Sequence, residues 1–301
     1  MKVKLHYLVC LNLGWAIFFS GCASAPRVIN LPVVAKPAGS RAVEVNDEQR
    51  VLAAIASALA HDLKLPPIES SVVFYPDRES YQAGVVAEAE KDLALRVEIG
   101  DRAAELEKEP VLFSARHSAA SSVAVGMYRR VLVDQKQLRR FSWWERVQIL
   151  AHELTHTVEK AWVDGRMAAW DRWLSEGFAE WTGYRVVEDL GGATFAASRR
   201  SISLEVARSR HQRPDPALTQ LVAGEDWLKW LRSSGRPSTY GQAFLAVDLL
   251  IEQKGVPAIV EYFRLFRESN DRERNFMTAF GESATEFEAR YREHRSATLG
   301  R

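Results

Sequence analysis

Cysteine is almost missing from this 301-residue chain. It has two, Cys10 and Cys22, both near the N-terminus. Neither a disulfide framework nor a cysteine-lined metal site can therefore hold the rest of the chain together. An excess of one charge is missing as well: 40 Lys and Arg stand against 39 Asp and Glu, a formal charge of +1. That balance argues against a nucleic-acid partner, which calls for a strongly basic surface. Long apolar runs are confined to Leu5 to Phe19, and about 15 residues fall short of the roughly 20 that span a membrane. What remains, 47% hydrophobic and 26% charged, has the composition of a globular protein with a substantial core.

The N-terminus carries a leader pattern. Met1-Lys2-Val3-Lys4 is a short basic segment, Leu5 to Phe19 is apolar, and Phe19-Ser20-Gly21-Cys22 ends in small residues. Those four residues resemble a bacterial lipobox with Phe19 in the place usual for Leu. The resemblance implies that residues 1–21 are a lipoprotein signal peptide, cleaved before Cys22, whose thiol is then lipidated. An ordinary signal peptide or an uncleaved anchor is the alternative. Loss of Lys2 and Lys4 with the leader brings the formal charge to −1. Ala23-Ser24, with no Asp after the cysteine, implies an envelope location in a two-membrane bacterium, lipid-anchored in the outer membrane and facing the periplasm. Residues 22–45 contain Pro26, Pro32, Pro37 and Gly39-Ser40 with little periodicity, and read as lipidated N-terminus and tether.

The chemistry concentrates further along, in His152-Glu153-Leu154-Thr155-His156. Residues four apart on a helix lie one turn apart on the same face, so the two imidazoles can share a metal ion. Glu153 is placed to act as a general base on water at that ion. The segment does read as helix: Ser142 and Glu145 form a capping box, and Val147, Leu150, Ala151, Leu154 and Val158 recur at helical spacing. Glu176, 20 positions after His156, is the expected third ligand, since that separation lets one helix end and a second return antiparallel. Two His and one Glu leave a fourth position open, as in a catalytic rather than a structural zinc site. Zn2+ is accordingly the expected cofactor.

His152-Glu153-Leu154-Thr155-His156 together with Trp173-Leu174-Ser175-Glu176-Gly177-Phe178-Ala179-Glu180-Trp181 resembles the gluzincin metallopeptidases, in particular small bacterial proteins of the peptidase-MA-like type. The resemblance covers residues 142–188. It implies an α+β, zincin-like fold, with a small mixed sheet and the HExxH helix followed by a mainly helical C-terminal lobe that completes the cleft. Residues 46–190 would form the catalytic lobe and 191–301 the helical one. Metzincins are excluded, because their third His would fall on Trp162. The resemblance points to Tyr240 as donor to the oxyanion, against plain packing at a helix start. Glu180, one turn after Glu176, is either a carboxylate for the outer N–H of a ligand histidine or a solvated helix charge. Ser175 replaces the Asn found before the ligand Glu in the large aminopeptidases, and no GxMEN signature occurs, so an endopeptidase is favoured. In gluzincins a strand before the HExxH helix pairs with substrate backbone. Residues Ser118 to Gly126 are either that edge, its loop, or a buried strand.

The remaining pattern sets the frame. Asn46-Asp47-Glu48 caps a helix with Val51, Leu52, Ile55, Leu59 and Leu63 on one face, stopped by Pro66-Pro67. Ser71 to Tyr75, Val111 to Phe113 and Val123 to Val133 read as strands, and Arg78 to Glu109 as helix broken near Gly100. Beyond Glu188 the chain reads as helices, with Tyr240 on a turn after Gly235 to Ser238, a C-cap at Gly255 and a second capping box at Ser283 and Glu286. His61 and His117 sit outside any metal-ligand spacing, and His211 is a weak alternative ligand. The expected function is zinc-dependent hydrolysis of peptide or protein substrates with Glu153 as general base. The competing readings are an inactive zincin-like lipoprotein acting as an assembly or binding factor, and an amidase of peptidoglycan peptides.

Overall fold

The computed structural model describes residues 25–31, 48–61, 63–65, 70–98, 108–165, 168–210, 212 and 216–299. The leader, Cys22, most of the tether, the Asn46-Asp47 cap, Pro66-Pro67, Gly100 and His211 lie outside them. Among the described residues no helix is long and apolar enough to cross a membrane.

Four short strands form a sheet in the order β1-β2-β4-β3, from β1 (Arg27–Asn30), β2 (Ser71–Tyr75), β3 (Ala124–Met127) and β4 (Arg130–Asp134). β2 and β4 run parallel with Val72 opposite Val131, while β1 and β3 are antiparallel to their neighbours and form the two edges. The central strands bury both faces, with period 2. Val72, Phe74, Val131 and Val133 face the main core, which holds residues of α1 (Glu48–His61) and of α5 (Trp143–Trp162). Val73, Leu132 and Met127 face a smaller core with α2 (Arg78–Glu98) and α3 (Lys108–Ser121). The sheet is thus a middle layer with helices on each side.

One expectation is refined and another corrected. The extended tether contains a strand, since Arg27–Asn30 pairs with β2, Arg27 opposite Phe74 and Asn30 opposite Ser71. Its alternation explains why: Ile29 points into the core while Val28 is 55% exposed. Val111 to Phe113, expected as a strand, belongs to helix α3. Three apolar residues cannot declare a period, and here Leu112, Ala115 and Ala119 fall on one helical face in the smaller core while Phe113 is 59% exposed. Val123 to Val133 is, as expected, β-structure. It is a hairpin whose turn places Arg129 at φ 59.

After the short α4 (Gln135–Leu138) and α5 the chain is helical: α6 (Arg172–Asp189), α7 (Phe195–Arg210), α8 (Gly224–Arg236), α9 (Gln242–Lys254), α10 (Val256–Leu265), α11 (Arg272–Phe280) and α12 (Ala284–Leu299). Both capping boxes form. Ser142 N donates to Glu145 Oε2 at 2.7 Å, and Ser283 N donates to Glu286 Oε2 at 2.8 Å. Gly255 ends α9 at φ 79. The main core continues from the sheet through α5 and α6 into the C-terminal helices, where Trp173 stacks on Phe287 and Trp162 packs between Phe178 and Phe263. The fold is therefore α+β, mostly helical with a small four-stranded sheet.

Candidate metal centre

Helix α5 buries Val147, Leu150, Ala151, Leu154 and Val158, which turns His152 and His156 toward α6. The two histidines are 7% and 9% exposed, and their Nε2 atoms lie 3.1 Å apart. Helix α6 brings Glu176 against them, with Oε2 at 3.3 Å from His152 Nε2 and 3.7 Å from His156 Nε2. Four ligands around zinc at bonds of about 2.0–2.1 Å stand roughly 3.3–3.4 Å from one another. The observed triangle of 3.1, 3.3 and 3.7 Å matches that edge length. Glu176 Oε2 is fully buried and has no hydrogen-bond partner. A buried carboxylate oxygen without a donor is costly unless a cation meets it. Among the described residues these three form the one group of His, Cys, Asp or Glu disposed to hold a metal ion.

The start of α6 is held by its surroundings. Arg172 N donates to Val222 O and Trp173 N to Leu221 O, which satisfies amides a helix start leaves open. The N-cap Asp171 does not cap. Its carboxylate accepts from Tyr262 Oη at 2.7 Å and lies 3.4 Å from Arg272 Nε, so the start of α6 is pinned to α10 and α11. Burial, offset in part by Tyr262 and Arg272, pushes the Asp171 carboxyl up to about 6.

A carboxylate holds one imidazole and a second lies beside the other. His156 Nδ1 pairs with Glu159 Oε2 at 2.8 Å, and Ser175 Oγ donates to the same oxygen at 2.6 Å. A proton held on Nδ1 by Glu159 would leave Nε2 as the nitrogen that can bind a metal ion. Glu180 lies on the other side, its Oε1 3.5 Å from His152 Nδ1; Arg236 donates to Oε1 at 2.8 Å and Gln148 to Oε2 at 2.9 Å. Glu180 is therefore buried beside His152, not solvated, but the 3.5 Å separation is long for a hydrogen bond. Burial favours a neutral His156, yet Glu159 and then Glu176 outweigh it and push its pKa up to about 10. Burial likewise opposes charge on Glu176, but Arg172 and the two imidazoles hold its carboxyl well below the usual range.

Glu153 faces β3. Its Oε2 accepts from Gly126 N at 2.5 Å, and Lys160 Nζ donates to Gly126 O at 2.5 Å. Both backbone groups of Gly126, on an edge strand, are thus taken by side chains of α5. Only glycine fits there, because a Cβ at 126 would lie 2.3 Å from Glu153 O. Tyr240 sits in a π-helical turn, Pro237–Gly241, between α8 and α9, with its ring centroid 6.2 Å from that of His152. The Arg236 guanidinium lies 3.9 Å over its face and Trp227 packs edge-on at 5.0 Å. A cavity of about 70 Å3 opens beside it, lined by Glu180, Tyr184, Arg236 and Phe244 among others.

No family model matches the chain, and no curated protein or solved structure does either. The site must be read from its geometry. That geometry brings together His152, His156 and Glu176, with Glu180 3.5 Å from His152 Nδ1 and the Tyr240 ring 6.2 Å from the His152 ring; Glu153 is held at Gly126, and His61 and His117 stay outside the cluster. Sequence reasoning passed over Glu159, Arg172, Gln148, Arg236 and Gly126. Helical spacing carried a signal for two of them, since Glu159 is three residues after His156 and Arg172 four before Glu176. A lone glycine inside a strand was the signal for Gly126.

Proposed function

We propose that this chain is a zinc-dependent metallopeptidase of the gluzincin type, with a zincin-like fold, anchored as a lipoprotein through Cys22 in the bacterial envelope. The observation that carries the proposal is the 3.1, 3.3 and 3.7 Å triangle of His152 Nε2, His156 Nε2 and Glu176 Oε2, whose third corner is a buried carboxylate oxygen without a donor. Two imidazoles and one carboxylate are a donor set that suits zinc, and three protein ligands leave a position for chemistry.

Zinc held there would supply a Lewis acid for a peptide carbonyl and lower the pKa of adjacent water. Glu153 takes a proton from the attacking water on its carboxylate and returns it to the leaving amine. The Gly126 N–H steadies Glu153 Oε2, which leaves Oε1 for that exchange. Glu159 and Ser175 fix the His156 ring, and Arg172 fixes Glu176. Tyr240 donates its hydroxyl to the oxyanion of the tetrahedral intermediate.

The test compares the full chain, purified in detergent, with Glu153→Gln and Glu176→Ala. Zinc content and hydrolysis of an unfolded protein are measured on each. Wild type and Glu153→Gln are expected to hold a single zinc, with hydrolysis confined to wild type, and Glu176→Ala to lose or weaken the metal. Zinc-loaded wild type that cleaves cell-wall peptides alone would move the activity to an amidase. No bound metal, even after zinc is added, would end the hydrolase reading.

A further inference from the structure

Arg172 opens α6 one turn before Glu176, and the i,i+4 spacing stacks the two side chains. Its Nη2 contacts Glu176 Oε1, while Glu176 Oε2 faces both imidazoles and has no hydrogen-bond partner. The two oxygens of one carboxylate are therefore assigned to different tasks. The ion pair has one wet end, because the Arg172 side chain is 44% exposed and that of Glu176 2%. Its backbone cannot drift, since Arg172 N donates to Val222 O at 2.9 Å.

We propose that Arg172 is a positioning residue that restricts Glu176 to one-oxygen coordination. This rests on the metal centre proposed above. A carboxylate without such a partner can turn both oxygens onto a metal, adding a fifth donor beside water and crowding the position that substrate needs. With Oε1 held by a guanidinium, Oε2 alone is offered and the fourth position stays open. Arginine suits the task because it stays charged at any working pH and its planar fork orients a carboxylate as well as attracting it.

The experiment uses the full chain in detergent, stripped of metal and loaded with cobalt(II), whose visible absorption is intense when four-coordinate and weak when five-coordinate. Wild type is expected to give the four-coordinate spectrum and Arg172→Ala the weaker five-coordinate one. Arg172→Lys, which keeps a cation within reach of Oε1, is expected to restore the wild-type bands. Zinc affinity, read by chelator competition, should fall about 10- to 100-fold in Arg172→Ala, the usual effect of losing a residue that orients a ligand. If Arg172→Ala loses its helical circular dichroism, Arg172→Met keeps the apolar stem and is expected to give the same spectral change. A wild-type spectrum and affinity in the folded neutral variant would overturn the role of Arg172 and leave the metal centre intact. Failure of the wild-type chain to bind either metal would instead overturn the metal centre and this inference with it.

Discussion

Replacing Gly126 with alanine puts a methyl group where β3 crosses α5. The added Cβ would lie 2.3 Å from Glu153 O and 2.9 Å from His156 Cβ. Favourable carbon contacts begin at roughly 3.5 Å, so strand and helix must separate by about 1 Å. Neither obstacle is the end of a flexible side chain: one is helix backbone and the other is the first side-chain carbon of a ligand histidine. Overpacking of this kind costs about 1–3 kcal/mol, and about 2 kcal/mol lowers Tm by roughly 4–8 °C in a chain of this size. The same displacement stretches the 2.5 Å bond from Gly126 N to Glu153 Oε2, so hydrolysis should fall further than zinc affinity does. Thermal unfolding followed by circular dichroism, zinc competition and turnover measure the three effects. Gly224→Ala is the control, because a Cβ there meets nothing within 4 Å, and its Tm should hold or rise slightly. A Gly126→Ala chain with wild-type Tm and turnover would refute the close crossing.

Glu159→Gln should weaken zinc binding about 10- to 100-fold in chelator competition, since the carboxylate at 2.8 Å from His156 Nδ1 both orients the ring and raises its basicity. Tyr240→Phe should keep zinc and lose about a hundredfold in turnover if the hydroxyl serves the oxyanion; unchanged turnover would leave Tyr240 as packing against Trp227. Asp171 makes a pH prediction. Its folded pKa, up at about 6 from 3.8, means the native state binds the proton more tightly than the unfolded chain. Its contribution to stability is full below about pH 3.8 and is lost as pH rises through 6, roughly 3 kcal/mol in all. Urea unfolding of wild type and Asp171→Asn across that window should show the difference shrinking with pH, and a constant difference would contradict the assignment.

Much of the site was legible because its signals are local. HExxH on a capped amphipathic helix needs only the 3.6-residue period and the Ser142–Glu145 box to put two imidazoles on one face. The spacing to Glu176 allowed a helix to return, and α6 does return with it. Glu159 and Arg172 were as local, three and four residues from His156 and Glu176, but among 79 charged side chains many share such a spacing, and the sequence does not single these two out. The short strands were harder. β1 gains its order from β2, more than 40 positions on, and Val111 to Phe113 has too few residues to show whether its period is 2 or 3.6.

By itself, then, the sequence determined which residues can bear the chemistry: the helical face of His152 and His156, the Glu153 carboxylate between them, and the lack of cysteine after Cys22, which leaves nitrogen and oxygen as donors. Only the tertiary structure decided how those groups are held. Packing of α6 on α5 sets the ligand triangle, β3 crossing at Gly126 fixes Glu153, and the turn between α8 and α9 carries Tyr240 and Arg236 to the centre. The physical reason is range. A helix repeats by hydrogen bonds four residues apart and can be read from its own sequence, whereas distances between helices depend on every side chain buried between them.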